Sequence, residues 1–165
     1  MAISQSILTI TQIMVNLAIL NSNRGLNEMD LLSIQRTWEN SEFFEIEVIA
    51  QSELIRARVK SYTTEALINE LASHLACFLQ KSDEKYIWKN GTKGDNSTPF
   101  ISLEFWREDR LGHIIVEVYM EIDDGTSLDR HNCCFYIRTE SEALSRFGKS
   151  LTMLNEKGIG MEITL

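Results

Sequence analysis

Three groups of residues in this chain have side chains that could do chemistry. The first is sulfur and imidazole. His74 and Cys77 lie three apart, on one face if the segment is helical, and His131-Asn132-Cys133-Cys134 adds an imidazole and two thiols. Such donors build tetrahedral zinc sites. The spacing argues against one here, because the chain has neither Cys-x-x-Cys nor His-x-x-x-His. Thiols on apolar strands ordinarily behave as small hydrophobes. A cysteine nucleophile would need an electropositive, accessible setting, and neither Cys77 nor Cys133-Cys134 has a glycine-rich turn or helix start around it. Neighbouring residues on a strand point to opposite faces, so the adjacent pair is a poor disulfide.

The second group is carboxylates. Glu117 and Glu121 share one face of a predicted strand, with Glu104 on its neighbour. Two close acids with His113 nearby could hydrolyse a bond by acid–base chemistry. On an open sheet face, solvated surface is the ordinary reading. Asp123-Asp124-Gly125-Thr126-Ser127-Leu128-Asp129 touches the calcium-loop pattern but lacks its spacing and closing glutamate, so it reads as a turn. No glycine-rich phosphate loop and no serine elbow occur. The residues therefore predict no catalytic residue, no metal ligand set and no cofactor.

The third group is a surface. By strand parity Trp106, Tyr119 and Tyr136 share the face away from the helices with Glu104, His113, Glu117, Glu121 and Arg138. Aromatics ringed by carboxylates have the composition of a recognition patch for a basic protein partner. The candidate partner-binding residues are Glu104, Trp106, His113, Glu117, Tyr119, Glu121 and Tyr136. The competing reading is that this face is scattered aromatics, or is covered by the N-terminal segment or a second subunit.

Alternation and helical spacing supply the elements that must carry these residues. Residues 31–38 read as a strand and Glu39–Glu42 as a turn. Phe43–Ala50 alternates Phe44, Ile46 and Val48 against Glu45 and Glu47. Leu54–Lys60 alternates Ile55, Ala57 and Val59 against Arg56, Arg58 and Lys60. Thr63 or Thr64 caps a helix to about Gln80 with a stripe of Leu67, Leu71, Leu75 and Phe78. Lys81–Thr98 reads as a loop with a short strand at Tyr86–Trp88. Phe100–Trp106 and His113–Asp123 form a hairpin, and Cys133–Arg138 a further strand. Ser141 opens a second helix, about 141–155, with Leu144, Phe147, Leu151 and Leu154, and Met161–Leu165 is a short last strand. Val59–Phe78 and Phe135–Leu154 share the order strand, threonine, Glu-Ala-Leu, helix. That order suggests an internal duplication, or only the common wording of α+β domains. The expected fold is α+β: a two-layer sandwich of an antiparallel sheet with helices 64–80 and 141–155 on one face.

Length and charge bound the rest. A chain of 165 residues, 44% hydrophobic and 24% charged, predicts one domain, 1–165, with a real core. Sixteen basic against 24 acidic side chains give a net charge of −8. That disfavours nucleic-acid and anionic-membrane binding and suits a basic partner. Residues 1–23 are apolar, with Ile3, Ile7, Ile10, Ile13, Leu17 and Leu20 at helical spacing but many β-branched residues, so helix and strand both stay open. The segment lacks a basic start, and Gln5, Thr9, Thr11, Gln12 and Asn16 interrupt it, which predicts neither a signal peptide nor a membrane span. Asn21–Gly25 reads as a loop. The expected location is the cytoplasm, in keeping with reduced cysteines.

Two stretches resemble a known family. Phe100-Ile-Ser-Leu-Glu-Phe-Trp-Arg-Glu-Asp-Arg-Leu-Gly-His-Ile-Ile-Val-Glu-Val-Tyr119 joins two strands through a charged turn ending in Gly-His. Cys134-Phe-Tyr-Ile-Arg-Thr-Glu-Ser-Glu-Ala-Leu-Ser-Arg-Phe-Gly148 runs from a strand into an Ala-Leu helix. Over about residues 30–155 the pattern is similar to bacterial polymorphic-toxin immunity proteins of the wall-associated-protein type. The loop at Lys81–Thr98 and the apolar N-terminus depart from it. The resemblance implies a cytoplasmic inhibitor that binds and neutralises a cognate toxin protein, and it transfers no individual contact residue. The second reading is a homodimer or larger homo-oligomer without enzymatic activity.

Overall fold

The computed structural model describes residues 30–81, 85–94, 98–122 and 131–165. The readings of residues 1–23, of Asn21–Gly25 and of Asp123–Asp129 lie outside the described residues.

The first meander is β1 (Leu31–Glu39), β2 (Phe44–Gln51) and β3 (Arg56–Thr63). The Asn40 side chain closes the first turn by accepting the N–H groups of Glu42 at 2.8 Å and Phe43 at 2.9 Å. Phe44, Ile46, Val48 and Ala50 of β2 are buried. On the other face Glu45 binds Lys60 at 2.9 Å and Glu47 binds Arg58 at 2.8 Å. Both ion pairs are diagonal, because the register sets Glu47 opposite Lys60 and Glu45 opposite Tyr62. β3 begins later than its alternation predicts. The Ser52 N–H donates to the Ile55 carbonyl at 2.7 Å, and this turn leaves Ile55, expected inward, exposed beside Leu54.

Helix α1 (Glu65–Gln80) starts where the Thr64 hydroxyl accepts the Leu67 N–H at 3.3 Å. Its buried stripe is Ile68, Leu71, Leu75 and Phe78. Leu67, expected in that stripe, is only half-buried. Spacing of three or four admits either residue, and tertiary packing selects Ile68. The predicted short strand becomes β4 (Tyr86–Asn90), tied to α1 by the Trp88 indole N–H on the Leu67 carbonyl at 3.2 Å.

The second meander is β5 (Ile101–Arg107), β6 (His113–Ile122) and β7 (His131–Glu140). The expected second helix comes in two pieces, α2 (Ser141–Ser150) and α3 (Thr152–Lys157). Leu151 between them keeps helical dihedrals of −57° and −37°, so Leu144, Phe147, Leu151 and Leu154 still form one buried stripe. β8 (Glu162–Thr164) ends the fold.

The fold is α+β with antiparallel strands, as predicted. The eight strands among the described residues divide between two four-stranded sheets, ordered β3-β2-β1-β8 and β4-β5-β6-β7. One buried cluster spans the inner faces of both sheets and the helices. The helices touch through Gly148, where an added Cβ would lie 3.5 Å from Leu75 Cβ.

The order β-β-β-α-β occurs twice, and each copy gives its last strand to the other. β4 pairs with β5, the first strand of the second copy, and β8 pairs with β1, the first strand of the first copy. The registers agree rung for rung. Ile163–Ile34–Val48–Val59 in one sheet matches Trp88–Leu103–Val118–Phe135 in the other. One rung along, Arg36 holds the inward place that Phe105 holds in the other sheet. Arg36 is 7% exposed. Its guanidinium donates to the Leu154 carbonyl at 2.8 Å, pairs with Glu39 at 2.6 Å and covers the Phe44 ring at 4.0 Å. Its backbone bonds Met161 and Gly160, so this one residue ties β1 to the connection carrying β8.

Candidate functional site

The candidate site is the outer face of the β4-β5-β6-β7 sheet. Because successive residues on a strand face opposite ways, the register sets three rows across this face. Trp106, Ile115 and Arg138 form one, Glu104, Glu117 and Tyr136 the next, and Ser102, Tyr119 and Cys134 the third. Glu121 and His113 stand at opposite ends of β6 on the same face. The structure thus brings Glu104, Trp106, Glu117, Tyr119 and Tyr136 together, with Glu121 at one margin and His113 at the other.

The aromatic centre spans three strands. Trp106 on β5 meets Tyr136 on β7 edge to face at 5.9 Å, and Tyr136 is 53% exposed. Ile115, the β6 residue between their strands, is 7% exposed although its parity is that of the wet face. Strict alternation along β6 points Ile115 outward, so the pattern does not reveal this apolar floor. The signal available was the Ile114-Ile115 doublet, in which an outward position carries a β-branched apolar residue.

Charges surround this centre unevenly. Lys85, which precedes β4, places its ammonium 3.0 Å from Glu104 Oε1 and 4.8 Å from the Trp106 ring centre. Glu117 lies directly opposite Glu104, and like charges so placed repel. Its hydrogen-bond partners are the Tyr136 hydroxyl and the Cys134 thiol, which are neutral donors. The bond to Glu117 and its negative charge raise the Tyr136 phenol above its ordinary value. Burial, then Glu117, raises the Cys134 thiol. A raised thiol is a poor nucleophile, and Cys77, Cys133 and Cys134 are all free thiols.

Glu121 is held by the β4–β5 connection. The Gly94 N–H donates to its Oε2 at 2.9 Å, the Tyr119 hydroxyl approaches its Oε1 at 3.4 Å, and Lys93 covers the Tyr119 ring at 4.4 Å. His113 serves its own turn. Asp109 accepts the N–H groups of Leu111 at 2.8 Å and His113 at 3.2 Å and bonds the His113 ring at 2.5 Å. That contact raises the imidazole and lowers the carboxyl. Gly112, at φ +103°, lets its carbonyl receive both the N–H and the hydroxyl of Ser141 at 2.9 Å. The Gly-His turn therefore seats the start of α2.

Among the described residues the acids stand on a sheet face and line neither of the cavities seen. Elsewhere the described residues line an apolar groove of about 360 Å³ between α1 and α2, floored by Leu75, Leu144 and Gly148, and a polar cavity of about 310 Å³ bordered by Arg36, Asn40 and Thr64. Among the described residues no group of His, Cys, Asp or Glu is placed to hold a metal, and no described helix is long and apolar enough to cross a membrane.

A second aromatic group went unread in the sequence. Trp38, Phe43 and Tyr62 meet at 5.3–6.1 Å on the outer face of the other sheet. A bulge between Arg36 and Trp38 inserts Thr37 and turns Trp38 outward, opposite Glu45, where strict alternation would point it inward.

No family model, no curated protein and no solved structure matches this chain.

Proposed function

We propose that this protein is a bacterial immunity protein that binds and neutralises a cognate basic toxin domain through the outer face of the β4-β5-β6-β7 sheet. The observation that carries the reading is the packed Trp106–Tyr136 pair over Ile115, bordered by Glu104, Glu117 and Glu121. Clustered aromatics in a charged rim supply binding hot spots, and a net charge of −8 speeds encounter with a basic surface. The toxin is blocked sterically, so the mechanism needs no catalytic group on this chain. The Gly112-His113 turn and the Ala-Leu helix that carry the family resemblance pack against each other through Ser141, which supports reading them as one unit.

The test is co-expression with the toxin domain encoded immediately upstream, scored by survival and co-purification. Rescue by the wild-type chain and its loss in Trp106→Ala would support the reading. Rescue that survives Trp106→Ala together with Tyr136→Ala moves the interface off this face. If there is no rescue by the wild-type chain, self-association becomes the leading reading, with sedimentation as its test.

A further inference from the structure

We infer that Glu117, with Glu104 opposite it and the Tyr136 ring beside it, is a receptor for the guanidinium of an arginine on the protein partner. The inference rests on the binding face proposed above and names what that face grips. Half of the row already shows the chemistry: Lys85 lies on the Trp106 ring and reaches Glu104 within the same chain. The other half has the same parts, and among the described residues no basic side chain forms an ion pair with its carboxylate. Glu117 stands beside the exposed Tyr136, and among the described residues it is bonded by the neutral Tyr136 hydroxyl and Cys134 thiol. Arg138 pairs instead with Glu108 at 3.5 Å, and Lys93 covers Tyr119.

Glu117 lies directly across from Glu104, so an incoming cation can be shared between the two carboxylates. Arginine suits the place better than lysine. Its planar fork bridges carboxylate oxygens on two strands and stacks on an aromatic ring, whereas an ammonium is a more strongly hydrated point charge.

The experiment uses the full chain with hepta-arginine and hepta-lysine peptides at about 0.15 M salt, where long-range attraction is screened. Binding is followed by the Trp106 indole N–H resonance, assigned with Trp106→Phe. The arginine peptide should bind about tenfold more tightly than the lysine peptide, a difference of about 1.4 kcal/mol. Glu117→Gln should erase that preference. Equal affinities in the wild type, or a preference unchanged in Glu117→Gln, would overturn the receptor. Toxin binding lost in Trp106→Ala but kept in Glu117→Gln would reject the receptor and leave the binding face standing.

Discussion

Arg36 gives the sharpest test of how the two copies hold together. It occupies an inward rung position, 7% exposed, where the matching rung carries Phe105. Replacing it with alanine removes three contacts. The bond to the Leu154 carbonyl at 2.8 Å is charge-assisted and buried, a class that contributes about 1.5–3 kcal/mol net. The pair with Glu39 is discounted, because that side chain is 39% exposed and water can take over; such pairs contribute about 0–1 kcal/mol. The guanidinium over Phe44 at 4.0 Å adds about 0.5–2 kcal/mol. Since these overlap, Arg36→Ala should destabilise the fold by about 2–4 kcal/mol. Glu39→Gln should cost below about 1 kcal/mol, because Arg36 keeps its carbonyl and its ring. The assay is urea unfolding followed by tryptophan fluorescence, with hydrogen exchange at Gly160, whose N–H donates to the Arg36 carbonyl at 2.8 Å. Arg36→Ala should raise exchange at Gly160 ahead of global unfolding, because it loosens the β8 connection first. If Glu39→Gln cost as much as Arg36→Ala, the ion pair would be the clamp and the assignment to the Leu154 carbonyl would fail.

Three further outcomes are expected. Glu117→Lys with Glu121→Lys should slow association with the toxin and reverse its salt dependence, measured by stopped flow; unchanged rates would remove this face from the encounter. Gly148→Ala should add about 0.5–1 kcal/mol of stability in urea titration, because the new Cβ makes ordinary contact with Leu75 at 3.5 Å and the helix gains alanine's propensity; a loss would mean the helices cannot accommodate one methyl. The Asp109–His113 pair should act as a pH-dependent lock on its turn. The imidazole is raised, so its contribution is full below about 6.5 and fades as pH climbs through its folded value; the carboxyl is lowered, so its share fades as pH falls below about 3.9. Asp109→Asn should return the His113 titration, read by NMR, toward the ordinary value, and an unmoved titration would break the pair.

The layout of strands and helices was legible because burial here follows simple periods. Phe44, Ile46 and Val48, and Ile114, Val116, Val118 and Met120, are buried where alternation puts them, and Thr64 caps α1 through its own hydroxyl. Alternation failed wherever the chain left a regular period. Ile55 belongs to a turn, Trp38 follows a bulge, and Ile115 is buried on the outward face between the strands that carry Trp106 and Tyr136. Ile55 and Trp38 are displaced by a local turn and a hairpin bulge that a strict period does not anticipate, and Ile115 by packing between strands that a local pattern does not carry. The exchange of β4 and β8 was illegible for the same reason, since nothing in a short strand names its partner.

The candidate site shows the same division one level up. Parity set Glu104, Trp106, Glu117, Tyr119 and Tyr136 on one face, because parity needs only strand boundaries. What each residue is free to do depends on who already holds it. His113 bears the same parity as Glu117, yet Asp109 has claimed its ring, and Glu121 is bonded by the Gly94 N–H. Lys85, before an edge strand that local pattern barely marked, settles Glu104 and leaves its opposite number with neutral donors. The asymmetry between two glutamates facing each other across β5 and β6 is therefore a product of the exchanged strand. β4 comes from the first copy, and it brings a cation to one carboxylate of the second and not to the other.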